Sequence, residues 1–173
     1  MATARGSFAI VDMAYTNNGM VQQKNEAERL RLGVRGGWIA IQEAVAWADS
    51  QIERTSEPHP VLFELALSHG RSREEVAALL QAVPGSADSI AVMRSCLNDL
   101  LEVIERSPSL ALDAARWLEA AATRGELPEA HFGSEPYALA DAVALAEQGT
   151  YGTIEEAASR LTAFLRKYAH REV

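Results

Sequence analysis

The chain has 173 residues, 48% of them hydrophobic, and 24 acidic against 16 basic side chains give a formal net charge of −8 at pH 7. This charge repels phosphate backbones and argues against nucleic-acid binding, while no apolar run reaches the roughly 20 residues needed to cross a bilayer. Because the N-terminus lacks the apolar core of a secretory signal, we expect a cytoplasmic protein with no membrane segment.

The N-terminal residues carry little periodic signal. Thr16-Asn17-Asn18-Gly19 favours a turn, so we expect residues 1–20 to form a loosely ordered arm. The polar stretch from Val21 to Leu32 is typical of a surface helix. Three glycines follow it, at positions 33, 36 and 37, but without the Lys and preceding strand of a phosphate-binding loop. They indicate a helix end and a turn.

The segment from Gly37 to Ile52 has the broadest apolar face in the chain. Its apolar residues recur every three or four positions, as on one face of an α-helix: Trp38, Ile41, Val45, Ala48 and Ile52. A face of this width must be covered on several sides, so we expect other helices to pack around it.

Further apolar stripes, separated by Pro and Gly, predict the remaining helices. Ser72 with Glu75, and Thr153 with Glu156, are capping boxes that mark two helix starts. Cys96, the only cysteine, falls on an apolar stripe and is expected to be a buried thiol. The predicted helices cover approximately residues 60–70, 72–84, 87–106, 108–124, 134–149 and 153–168. We therefore predict an all-α fold, an irregular helical bundle or short stack of seven to eight helices, in one domain over residues 21–173.

Two parts of the chain resemble each other. Trp47 and Pro58 are eleven residues apart, as are Trp117 and Pro128, and each pair precedes an apolar helix and then a capped helix. One hypothesis is a pair of three-helix repeats joined by the helix at 87–106. Chance resemblance is the alternative, because capping boxes are common.

Motifs for catalysis or for binding a metal or cofactor are absent from the sequence. The four histidines form no metal-binding pair, and the serines lie mostly at helix starts, where capping explains them. Asp49, His59 and His131 are the residues that could converge in a pocket between helices. The sequence thus favours a protein that is not an enzyme, with a small helical enzyme or ligand-binding domain around these three residues as the alternative.

The C-terminal half is the more acidic part of the chain. Between Leu97 and Glu156 there are twelve acidic residues and three basic ones, so this stretch would attract a basic protein partner. Phe132 and Tyr151 lie in loops predicted to be exposed, and exposed aromatics with a charged rim are typical of interfaces. The predicted protein-binding residues are Glu126, Glu129, His131, Phe132, Glu135 and Tyr151.

Short motifs in residues 33–168 resemble small all-helical immunity-type proteins of bacterial toxin systems. They are Gly37-Trp38-Ile39, Trp47-Ala48-Asp49 with Ile52, Pro58 before a Leu-rich helix, and Gly149-Thr150-Tyr151-Gly152. The resemblance implies a protein that binds and blocks a toxin enzyme, and it implies no particular site residue. The leading hypothesis is therefore a non-enzymatic binding protein, an immunity or antitoxin-like inhibitor, that uses its acidic surface against a basic toxin domain.

Overall fold

A computed structural model describes the backbone of residues 6–127 and 132–169, with side chains from Gly19 onward. Within these ranges it contains eight α-helices, one 3-10 turn and no strand, which confirms the predicted all-α fold. The helices are α1 (Gly6–Gly36), α2 (Ile41–Arg54), α3 (Pro60–Ala66), α4 (Arg73–Gln81), α5 (Ser89–Arg106), α6 (Ala111–Thr123), α7 (Glu135–Glu147) and α8 (Ile154–Ala169), with the 3-10 turn at Pro108–Leu110. None of these described helices is both long and apolar enough to span a membrane.

The chain divides into two compact units, Met1–Asp88 and Ser89–Val173. Unit 1 contains α1 to α4, and unit 2 contains α5 to α8. The single domain expected over residues 21–173 stays a prediction, as does the loose order of residues 1–20.

Helix α1 is longer than the sequence indicates. It continues through Thr16–Gly19, so the predicted turn is wrong there. A turn preference of this kind amounts to less than about 1 kcal/mol per residue, which an established helix can override. The second half of α1 is not a surface helix either, because Ala27, Leu30 and Val34 lie in the core of unit 1.

A buried cation joins α1 to the end of α4. The ammonium group of Lys24 is 2.9 Å from a carboxylate oxygen of Glu28 and donates to the backbone carbonyl of Gln81 at 2.8 Å. Burial raises the pKa of Glu28, but hydrogen bonds from Lys24 and Arg31 outweigh it and hold the pKa below its ordinary value. Glu28 therefore stays ionised, and Lys24 satisfies a carbonyl at the C-terminal end of α4.

The glycines after α1 form the predicted helix end and turn. Gly37 has a φ of 86° and its backbone N–H donates to the carbonyl of Gly33 at 2.8 Å. The turn places Ile39 against Gly33, where a Cβ would lie 2.3 Å from the Ile39 side chain. Helix α2 consequently begins at Ile41 and not at Gly37 as predicted.

Unit 1 is held together by α1 packing on α4, α2 on α3, and α3 on α4. Helix α2 places Ala44, Val45 and Ala48 in the core, while Ile41, Trp47 and Ile52 are partly buried against it. The predicted apolar face thus meets the core, although α2 buries it on fewer sides than its width suggests.

Unit 2 repeats this arrangement, with α5 packing on α8, α6 on α7, and α7 on α8. Cys96 is buried in α5, as expected. The predicted helix at 108–124 begins with the 3-10 turn, which leaves Leu110 40% exposed. At the start of α7 the side chain of Ser134 makes no capping hydrogen bond.

The two units share one helix order, and the repeated unit has four helices, not three. Helix α5, predicted to join the repeats, is the first helix of unit 2 and corresponds to α1. The α1–α2 and α5–α6 connections both span four residues, so positions seventy residues apart correspond throughout these helices. Buried pairs in this register are Ala27 and Leu97, Leu30 and Leu100, Val34 and Ile104, Ala44 and Ala114, Val45 and Ala115, and Ala48 and Leu118.

The last helices of the units also correspond. The capping boxes of α4 and α8 are both formed: Glu75 N–H donates to the Ser72 hydroxyl, and Glu156 N–H to the Thr153 hydroxyl. Counting from these boxes, Leu80 matches Leu161 and both are fully buried.

The turn after α7 offers a test of backbone strain. Gly149 has a φ of 65°, and its N–H and that of Thr150 donate to the carbonyls of Ala146 and Leu145 at 3.1 and 2.9 Å. A Cβ at Gly149 would meet nothing within 4 Å, so the only cost of Gly149→Ala is the left-handed φ. We expect a loss of about 1 kcal/mol in the free energy of unfolding, measured by urea denaturation.

Gly70→Ala is the matched control. Gly70 also has open space around its Cα but no positive φ, so the substitution should leave stability unchanged or raise it slightly. Equal losses at the two positions would contradict the assigned turn geometry.

Candidate functional site

The structure describes four of the six residues predicted to bind a protein. Glu129 and His131 lie outside the described residues. Tyr151 is 69% exposed, as expected, whereas Phe132 is only 8% exposed. The prediction that Phe132 is an exposed contact residue is therefore wrong.

Phe132 belongs to an aromatic cluster inside unit 2. Its ring centroid lies 4.8 Å from that of Tyr168 and 6.2 Å from that of Phe164, and the rings are tilted as aromatic pairs prefer. The cluster attaches the segment before α7 to α8, which accounts for the burial of Phe132.

Glu135 is held beside this cluster. Its carboxylate accepts a hydrogen bond from the Tyr168 hydroxyl and another from Lys167 at 2.9 Å, and the Lys167 ammonium lies 4.6 Å from the Tyr168 ring centroid. The Tyr168 hydrogen bond is the main cause that lowers the pKa of Glu135, with Lys167 adding to it against partial burial. Tyr168, and after it Glu135, raise the pKa of Lys167.

These shifts predict how Glu135 affects stability as pH changes. Because its folded pKa lies below the ordinary 4.5, Glu135 stabilises the fold fully above that value and loses the contribution as pH falls through the folded pKa. We expect Glu135→Gln to lower stability at pH 7 by less than about 1 kcal/mol, since the ion pair is half-exposed, and the two proteins to converge in acid. Urea unfolding at pH 7, 5, 4 and 3 measures this. A constant difference across the pH range would contradict it.

Five acidic residues in the described part of unit 2 have cationic partners. Glu126 is 2.8 Å from Arg124, and Arg116 and Arg166 bridge to Glu147 and Glu105. Four exposed acids form no ion pair and no capping hydrogen bond within the described part of the chain: Asp113, Glu119, Asp141 and Glu155. Two of the predicted contact residues, Glu126 and Glu135, are thus already engaged, and the negative charge available to a partner comes from other positions.

One surface of unit 2 combines available acids with exposed apolar side chains. Tyr137, Asp141 and Leu145 follow at steps of four along α7 and so share one face, with Tyr137 40% and Leu145 38% exposed. The turn after α7 brings the backbone N–H of Tyr151 within 3.3 Å of the Leu145 carbonyl. Ile154, which is 55% exposed, and Glu155 begin α8. We call these six residues the α7 surface.

A groove of about 360 Å³ lies between α7 and α8. It is mainly apolar, and the polar groups that line it are Glu135, Arg160 and Lys167. Since Lys167 is paired with Glu135, Arg160 is the remaining cation there, with no ion pair to the described residues.

The residues of the alternative hypothesis do not form a pocket in the described part of the chain. Asp49 is exposed on α2, and His59 is exposed at the start of α3, where its Nδ1 accepts from the Val61 N–H at 3.3 Å. His59 therefore acts as a helix cap, and His131 lies outside the described residues. Among the residues described, no group of three or more His, Cys, Asp or Glu could hold a metal ion.

Comparison of the chain with models of protein families, with curated proteins and with solved structures gives no match. The resemblance to immunity-type proteins accordingly stays a prediction.

Proposed function

We propose that the chain is a non-enzymatic protein-binding module that uses the α7 surface of unit 2 to bind a basic protein. The observation that supports this most directly is the exposure of Tyr151, which is 69% exposed, is joined through its backbone N–H to the Leu145 carbonyl and precedes Ile154 and the unpaired Glu155 in the chain. Covering large apolar side chains of this kind with a partner stabilises the complex.

The composition of the α7 surface is that of an interface. Tyr side chains are enriched among residues that dominate binding energy, because they bury a large area with few rotatable bonds. Asp141 and Glu155 are available to a cationic partner, and the surrounding stretch from Leu97 to Glu156 carries nine more acids than bases. Such a field speeds association with a basic protein and makes it sensitive to salt.

In its specific form, the proposal is that the partner is a basic toxin enzyme and that the chain inhibits it. This form depends on the resemblance of Gly37-Trp38-Ile39, Trp47-Ala48-Asp49 and Gly149-Thr150-Tyr151-Gly152 to immunity-type proteins. The last of these motifs contributes Tyr151 to the α7 surface.

Affinity capture tests the general proposal. The immobilised chain is exposed to native lysate at low and at high salt, in parallel with the variant Tyr151→Ser/Ile154→Ser, and retained proteins are identified by mass spectrometry. We expect a basic protein that the wild type retains at low salt, and that both high salt and the double substitution release. Retention of the same proteins by the variant at both salt concentrations would contradict the proposal.

A further inference from the structure

A second groove, of about 390 Å³, lies between α1 and α2 of unit 1. In contrast to the α7–α8 groove, it is mainly polar. Its lining residues are Gly19, Gln22, Gln23 and Glu26 from α1, and Trp47, Ser50, Gln51 and Arg54 from α2. The volume falls within the roughly 300–1,000 Å³ range of sites for small molecules.

Some polar side chains in this groove already form hydrogen bonds or ion pairs within the protein, and others are available to a ligand. The Gln23 amide donates to the Gln51 side-chain carbonyl at 3.3 Å, which links the two walls, and Glu26 is paired with Arg29. Trp47 is half-buried and lines the groove. Arg54 is exposed and makes no ion pair with the described residues. An aromatic residue, glutamines and an arginine therefore line one space.

Unit 2 shows that the fold does not require polar residues at these positions. In the seventy-residue register, Trp47 and Arg54 correspond to Trp117 and Arg124, so the aromatic and the cation are present in both units. The polar residues between them do not recur: Gln22, Gln23, Glu26, Ser50 and Gln51 correspond to Val92, Met93, Cys96, Ala120 and Ala121. Four of these five apolar residues are buried, and so is Trp117.

The difference between the units has an energetic meaning. Burying apolar side chains stabilises a unit by roughly 25 cal/mol per Å², and at these positions unit 1 has polar residues where unit 2 has buried apolar ones. Polar residues that reduce stability while lining a cavity are characteristic of binding sites, where function opposes stability. The corresponding arginine of unit 2 also differs, since Arg124 is paired with Glu126.

We propose that the α1–α2 groove of unit 1 binds a mononucleotide, that is, a hydrogen-bonding heteroaromatic ring linked through a sugar to a phosphate. The ring stacks on Trp47, and the Gln23 and Gln51 amides, which both donate and accept, bind its edge. The guanidinium of Arg54 binds the phosphate in the forked geometry that suits it.

The spacing on α2 suits this class of ligand. Trp47 and Arg54 are seven residues apart and share one helix face, which separates their backbones by about 10 Å along the axis. A sugar between base and phosphate bridges most of that span, so a nucleotide contacts both residues. The overall charge of −8 disfavours a polyanion such as RNA, so a single nucleotide fits better.

Isothermal titration of the full chain with AMP and GMP tests the proposal, with adenosine and inorganic phosphate as partial ligands. We expect saturable binding of at least one nucleotide to one site, and at least about tenfold weaker binding of the nucleoside and of phosphate alone. Arg54→Ala should weaken nucleotide binding at least about tenfold. Arg124→Ala, its counterpart in unit 2, should leave it unchanged.

A second variant separates binding from folding. Gln23→Met/Gln51→Ala gives unit 1 the residues that unit 2 has, and it should abolish nucleotide binding while keeping or raising the thermal unfolding midpoint. The proposal is overturned if neither AMP nor GMP shows saturable binding up to about 1 mM. It is also overturned if Arg54→Ala and the double variant both bind nucleotide as tightly as the wild type.

Discussion

Replacing Asp141 and Glu155 by Lys should slow association with a basic partner by about tenfold to a hundredfold at low salt. Both carboxylates are exposed and have no ion-pair partner among the described residues, so their charge acts on an approaching protein without local compensation. The dissociation rate should change less, because charges at the rim of an interface act mainly on encounter. Stopped-flow or surface-based kinetics with the captured partner, at two salt concentrations, measures both rates.

A second pair of acids provides the control. Asp113 and Glu119 are likewise exposed and unpaired within the described residues, but they lie on α6, outside the α7 surface. Reversing both changes the net charge by the same amount as reversing Asp141 and Glu155. If the two double variants slow association equally, the total charge of the chain matters and the α7 surface does not.

Leu80→Ala and Leu161→Ala should each cost about 3 kcal/mol of unfolding free energy. The two leucines occupy corresponding positions on the last helix of each unit, and both are fully buried, so truncation removes buried methyl groups and leaves a cavity in each core. Urea denaturation of both variants measures the loss.

Leu67→Ala is the control for this pair. Leu67 is 80% exposed, so the same truncation should cost less than about 0.5 kcal/mol. A cost of only about 0.5 kcal/mol at Leu80 or Leu161 would show that this leucine is not buried in the core of its unit. It would then contradict the correspondence between the units.

Local sequence signals predict those structural features that depend only on residues close together in the chain. The Ser72–Glu75 and Thr153–Glu156 pairs predicted two helix starts that the structure contains, because each box is completed within one helical turn. The buried residues Leu139, Val143 and Ala146 of α7 lie at helical spacing in the sequence. Those positions implied an outward face, and the exposure of Tyr137 and Leu145 could have been inferred from it.

Other features depend on partners distant in sequence. Nothing near Phe132 in the sequence indicates that it contacts Phe164 and Tyr168, so the sequence alone predicts an exposed loop residue. Helix α1 was interpreted as a surface helix because its buried residues are spaced among charged ones, including Lys24, whose partners include a carbonyl on α4.

The extent of the repeat was missed for a related reason. Trp47 and Trp117 suggested two copies, but the register continues upstream only once α1 and α5 are recognised as equivalent helices. Without that equivalence, Gln22 and Gln23 have no counterpart in Val92 and Met93, and the polar groove of unit 1 cannot be distinguished from an ordinary solvated face.

Site-specific photo-crosslinking examines the proposed interface most directly. A benzoylphenylalanine side chain is introduced at position 151, in the α7 surface, or at position 67, the most exposed leucine of unit 1, and each protein is irradiated in native lysate. We predict a crosslink to a basic protein from position 151 that high salt suppresses, and no such crosslink from position 67. The same products from both positions, or none from position 151, would contradict the assignment of the α7 surface as the protein-binding site.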